Sequence, residues 1–120
     1  MNPLEKYKST TAYTSSTQNQ LIFIFDEILK LLYSAKKAMN EKNQESKFRI
    51  LSRIIEVLYT LKMGVNQDFN QSSNQTIDIF YGATIYKLEN INIKGEDPEE
   101  LKPIIDAISE IRQALIKEVA

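Results

Sequence analysis

Apolar residues recur at helical spacing through most of this chain. Leu21, Ile24/Phe25, Ile28, Leu31/Leu32, Ala35 and Met39 fall on one side of a 3.6-residue repeat, which predicts a helix over residues 17–41. Ile22, Phe23 and Leu29 lie off that stripe, so this helix is greasier than one buried face requires. Thr17 and Gln20 have capping-box spacing at its start. A polar turn at 40–43 follows, with Asn43 as the N-cap of a second helix over 44–63. The second helix carries two adjoining stripes: Phe48, Leu51, Ile55 and Leu58 form one, and Ile50, Ile54, Val57 and Leu61 the other. Gly64 is placed to end it in the left-handed conformation that glycine adopts freely.

Residues 67–76 are polar apart from Phe69 and read either as a loop or as the weak first turns of a third helix. From Ile77, the positions Phe80/Tyr81, Thr84, Leu88 and Ile91 restore helical spacing, which predicts a helix to about Asn90. Gly95 breaks the chain. Asp97-Pro98-Glu99-Glu100 then supplies a cap residue, a proline at the first helical position and first-turn acids. Leu101, Ile104/Ile105, Ile108, Ile111, Leu115 and Val119 follow at bundle spacing, and Pro103, which lacks a backbone donor, bends this helix or delays its start. Four helices with short links predict an all-α, antiparallel four-helix bundle over 17–120. An extended arm, residues 1–16, rich in Ser and Thr and marked by Tyr7 and Tyr13, precedes it.

Composition narrows the function. At 120 residues, 42% hydrophobic and 26% charged, the chain is one globular domain able to bury a core. A net charge of -1 argues against nucleic-acid binding. There is no cysteine and no histidine, so thiolate chemistry, imidazole bases and the commonest metal ligand are missing, and an enzyme would have to rely on carboxylates, lysine or hydroxyls. No apolar run approaches the ~20 residues of a membrane span, and the first eight residues do not resemble a signal peptide. A cytoplasmic binding protein, without cofactor, metal or enzymatic turnover, is expected.

The ordered set of short motifs resembles the FliS family of flagellin-specific export chaperones. Asn2-Pro3 and Tyr7 resemble that family's opening, and Thr17-Gln18-Asn19-Gln20-Leu21 stands where the family has Ser-Pro-Glu-Gln-Leu. Phe25-Asp26, Ala35-Lys36-Lys37-Ala38, Ile54-Ile55-Glu56, Val65-Asn66 and Phe80-Tyr81 are similar to successive family motifs. Asp97-Pro98 to Leu101, then Ile108, Ile111-Arg112 and Leu115, follow the family's last helix. The polar stretch 70–74 and Pro103 depart from the family pattern.

The resemblance implies a cytoplasmic chaperone that holds the disordered C-terminal segment of flagellin in apolar grooves, which prevents premature polymerisation and keeps the subunit exportable. It assigns Tyr7 to an arm that covers part of that surface. The surplus apolar residues expected to meet the client are Ile50, Ile54, Val57, Leu58 and Leu61 on the second helix, with Ile105 and Ile108 on the fourth. Arg112 either anchors a partner's carbonyls or complements its own helix C-terminus. A different reading gives the same surplus surface to a homodimer with no client.

Overall fold

The structure is a computed structural model and describes residues 16–65 and 71–119. The expected arm, with Tyr7 and Tyr13, and most of the link between the second and third helices lie outside the described residues. Among the described residues four α-helices are present: α1 (Ser16–Asn40), α2 (Gln44–Val65), α3 (Gln71–Lys94) and α4 (Lys102–Val119), with one 3-10 turn, Pro98–Leu101, before the last. Among the described residues there is no strand, so the chain is all-α as expected, with the helix number of a four-helix bundle.

The chain divides into two compact parts, and α1 runs through both: one holds the residues up to Lys30 with those from Lys102 onward, the other is Leu31–Leu101. In the first part, Phe25 and Ile28 of α1 are buried, as are Ile104, Ile105 and Ile108 of α4. Arg112 donates through Nε to the Asp26 carboxylate and ties α4 to α1. In the second part, α2 and α3 run antiparallel. Lys47 near the start of α2 meets the end of α3, and Lys62 near the end of α2 pairs with Asp78 near the start of α3, at 2.9 Å. Leu51, Ile54 and Leu58 are sealed on α2, and Tyr81, Ile85, Leu88 and Ile91 on α3.

The helix ends follow local chemistry. At the α1 terminus the Lys42 amide donates to Met39 O and the Asn43 amide to Ala38 O, a Schellman pattern, with Lys42 itself left-handed at φ 56. Asn43 is the N-cap foreseen for α2: its Oδ1 accepts from the Ser46 amide at 3.1 Å. Asp97 caps the 3-10 turn, its Oδ1 accepting from the Glu99 amide at 2.9 Å. Pro103 falls in the first turn of α4, where a missing donor costs nothing, and the α-helix starts only at Lys102, the delay that proline imposes.

Two boundary expectations are corrected, and of the two readings of residues 67–76 the helical one holds from Gln71. The α1 helix starts at Ser16, so Thr17 is already inside the first turn. Gly64 has no positive φ; α2 passes through it to Val65. The polar residues from Gln71 onward are helical, so α3 starts six residues before Ile77. At Gly95 the reason for glycine is space: a Cβ there would sit 2.8 Å from Ile91 Cα and 2.9 Å from Ile91 Cγ2.

Candidate docking face

The cross-links between α2 and α3 set which side of each helix faces outward. Asn92 Nδ2 donates to Ser52 Oγ at 3.1 Å, and the Lys62–Asp78 pair lies about three turns away along α2 and about four along α3. On α2, Phe48 and Tyr59 point within about 40° of Ser52 at 100° per residue, with Met63 one turn beyond Tyr59. On α3, Ile79 and Ile93 directly follow the linked residues Asp78 and Asn92, and Tyr86 lies midway, seven residues from each. Seven residues turn the helix by almost two whole revolutions, so Ile79, Tyr86 and Ile93 form one straight row.

These six side chains make one apolar face on the outer side of the α2–α3 pair. Their exposure runs from 47% for Tyr59 to 82% for Ile93. Taking roughly 200 Å2 for a whole large side chain, they leave on the order of 700 Å2 of apolar surface open. Monomers rarely expose a contiguous apolar patch above a few hundred Å2. Of the other exposed large apolar residues among those described, Tyr33 is on α1 and Ile77 in the early turns of α3.

The α3 helix is therefore apolar on two opposite sides. Tyr81, Leu88 and Ile91 enter the core, while Ile79, Tyr86 and Ile93 look the other way. Between the outer residues lie Gly82, Ala83 and Asn90, which are small or polar. A Cβ placed on Gly82 would meet Lys62 Cε at 3.6 Å, so the lysine stem of α2 already lies against this residue.

The residues expected from the sequence to meet a partner are distributed otherwise. Ile54, Leu58 and Ile108 are fully buried, and Ile105 is 5% exposed. These four are core residues and present no surface, because the stripe counted as surplus on α2 and α4 is the stripe that packs. Ile50, Val57 and Leu61 are half-buried on the opposite flank of α2 from Phe48 and Tyr59. Arg112 is paired with Asp26, a contact that neither sequence reading of it included. Ile22, Phe23 and Leu29, the surplus of the first helix, are all half-buried, as are Leu21 and Ile24 of its stripe.

Sequence reasoning missed Tyr59, Met63, Ile79, Tyr86 and Ile93, and it placed Phe48 in a packing stripe although that side chain is 62% exposed. The signal available was the exact seven-residue recurrence of Ile79, Tyr86 and Ile93, a narrow seam hidden by the broader stripe on the same helix.

Lys47 was also unforeseen. It is almost wholly buried, and its ammonium donates to Gly95 O at 2.8 Å and Ile91 O at 3.2 Å, closing the carboxyl end of α3. It borders a cleft of about 480 Å3 beside the α1–α2 turn, also lined by Met39, Lys42 and Asn43. Among the described residues, no group of three or more acids is arranged to hold a metal ion: Asp26 pairs with Arg112 and Glu56 with Arg53. No helix among them is long and apolar enough to cross a membrane.

A family model described as "Flagellar protein FliS" matches residues 1–117. Among curated proteins and among solved structures, nothing matches the chain.

Proposed function

Because the chain belongs to the FliS family of flagellar chaperones, we propose that it binds the C-terminal segment of flagellin in the cytoplasm and holds it as an amphipathic helix on the α2–α3 face. The observation that carries this reading is the apolar face itself: six large side chains, open to solvent, aligned on two neighbouring helices. An amphipathic helix reads such a surface through anchors at i, i+3, i+4 and i+7. Covering the face removes on the order of 700 Å2 of apolar surface on the chaperone side, or roughly 17 kcal/mol gross at 25 cal/mol per Å2. Ordering a disordered client and losing its freedom of motion offset most of that, which leaves an affinity in the ordinary range for a reversible carrier. The half-buried strip of Ile50, Val57 and Leu61 on the other flank of α2 offers the client a second, narrower contact. The action is binding alone, without turnover.

Calorimetry with a peptide of the flagellin C-terminal segment tests this reading. Binding at micromolar peptide or tighter is expected, with a negative heat-capacity change from apolar burial and a gain of helix in circular dichroism. Replacing Tyr86 and Ile93 together by Ser should weaken binding by about tenfold or more, since exposed anchors of this size carry a large share of the energy. Thermal stability should hardly move, because both side chains are mostly in water already. An absence of binding at micromolar peptide, or full binding by the double variant, would reject the proposal.

A further inference from the structure

The apolar face has a charged border, and its two sides differ. Along α3, Lys87 and Lys94 each follow an outer-row residue, Tyr86 and Ile93, by one position. One position is 100° of turn, which puts both lysines on the edge of the row away from α2. Both are exposed, and neither has an ion-pair partner among the described residues. Along α2 the corresponding edge is balanced: Arg53 pairs with Glu56 at 3.6 Å, and Arg49 stands one turn from Glu45. Between the helices, Lys62 and Asp78 neutralise each other, and Glu89 is the acid that stays open on the α2 side of the α3 row. The α3 edge is thus uniformly basic beside a balanced α2 edge.

We propose that this face selects one kind of helix: apolar at seven-residue spacing, with acidic residues on the edge that lies over Lys87 and Lys94. The proposal rests on the reading of the face as the client site. Three features lead to it. The row from Ile79 to Ile93 spans 14 residues, about 21 Å at 1.5 Å per residue, so a straight helix of some four turns matches it. Ala83, exposed between the anchors, lets a second helix backbone come close, as small residues do at helix contacts. Asn90 lies in line with Ala83 as the polar position that sets register, the part such a residue plays in coiled-coil seams. The lysines then choose direction and partner. A helix laid the wrong way round, or one with basic flanks, places like charges over the edge, which costs affinity and slows encounter.

A pair of model peptides tests this against the full chain. Both are helical, roughly 18 residues long, and share one apolar stripe; one carries Glu and the other Lys on the flanking edge. At low salt the Glu peptide is expected to bind about tenfold tighter or more, chiefly through faster association, and raised salt should narrow the gap. In the double variant Lys87→Glu with Lys94→Glu the preference should reverse. Equal binding of the two peptides, or an unchanged preference in the double variant, would overturn the proposal. So would sedimentation showing a tight dimer that Tyr86→Ser dissociates, because the face would then be filled by a second copy. The flagellin peptide, titrated in parallel, separates the two readings. Charge-dependent binding of the Glu peptide without flagellin binding rejects flagellin as client and keeps the edge rule. Flagellin binding with indifferent model peptides does the opposite, and no binding by any of them rejects both.

Discussion

Lys42 is the one non-glycine residue with positive φ among those described. An L-residue in the left-handed region sets its Cβ against its own carbonyl, at a cost of roughly 1–2 kcal/mol. The Schellman bonds from Lys42 and Asn43 back to Met39 and Ala38 hold it there, because they satisfy carbonyls that the end of α1 would otherwise leave open. Lys42→Gly removes the strain and leaves every backbone bond in place. Part of the gain goes into the greater freedom of glycine in the unfolded chain. A net stabilisation of about 0.5–1 kcal/mol is expected, seen as a rise of a few degrees in the thermal midpoint. A fall in the midpoint would mean that the lysine stem makes contacts worth more than the strain. Asn43 shows the opposite case: a cap readable at once from the sequence, because Asn before a helical repeat satisfies an orphan amide whatever surrounds it.

At the scale of the element, α3 shows both what a helical repeat reveals and what it hides. Its core stripe through Tyr81, Leu88 and Ile91 was legible because those positions recur at three and four. Its start at Gln71 was legible only as one of two readings, because Ser72, Ser73 and Asn74 have weak helix propensity. Its far end depends on Lys47 of another helix, 44 and 48 positions away along the chain from the two carbonyls it binds. Those charge-assisted bonds reach Ile91 O in the last turn of α3 and Gly95 O just past its end, and the cation faces the negative end of the helix dipole. Lys47→Met keeps the stem and deletes the ammonium. It should cost about 1–3 kcal/mol, the penalty for leaving the Gly95 carbonyl without its donor, while Ile91 O keeps the Gly95 amide at 2.8 Å. Chemical denaturation would show this as a lower midpoint at constant slope, and hydrogen exchange should rise first at the end of α3. An unchanged midpoint would mean that water takes over the Gly95 carbonyl.

Across the whole molecule, stability should depend on pH through Tyr81. Its ring is 3% exposed, and burial disfavours the phenolate, pushing its pKa from 10.0 up to about 12. In the unfolded chain the phenol ionises near 10, so between pH 10 and 12 the unfolded state loses a proton that the folded state keeps. Stability is intact below pH 10 and should fall as pH rises through that window, by at most about 1.4 kcal/mol per pH unit. Tyr81→Phe should flatten this part of the curve in denaturation measured at stepped pH; an equally steep loss in the variant would place the cause elsewhere.

The sequence by itself determined the four helices, the Asn43 and Asp97 caps, the delay at Pro103 and the family, because period, capping and short motifs are local and survive any arrangement of neighbours. The tertiary structure alone decided which apolar side chains are spent on the core. Ile54, Leu58, Ile105 and Ile108 went inside, while Phe48, Tyr86 and Ile93 stayed out. Hydrophobicity is a property of a residue, but burial is a property of what stands opposite it, and no repeat along one helix records that.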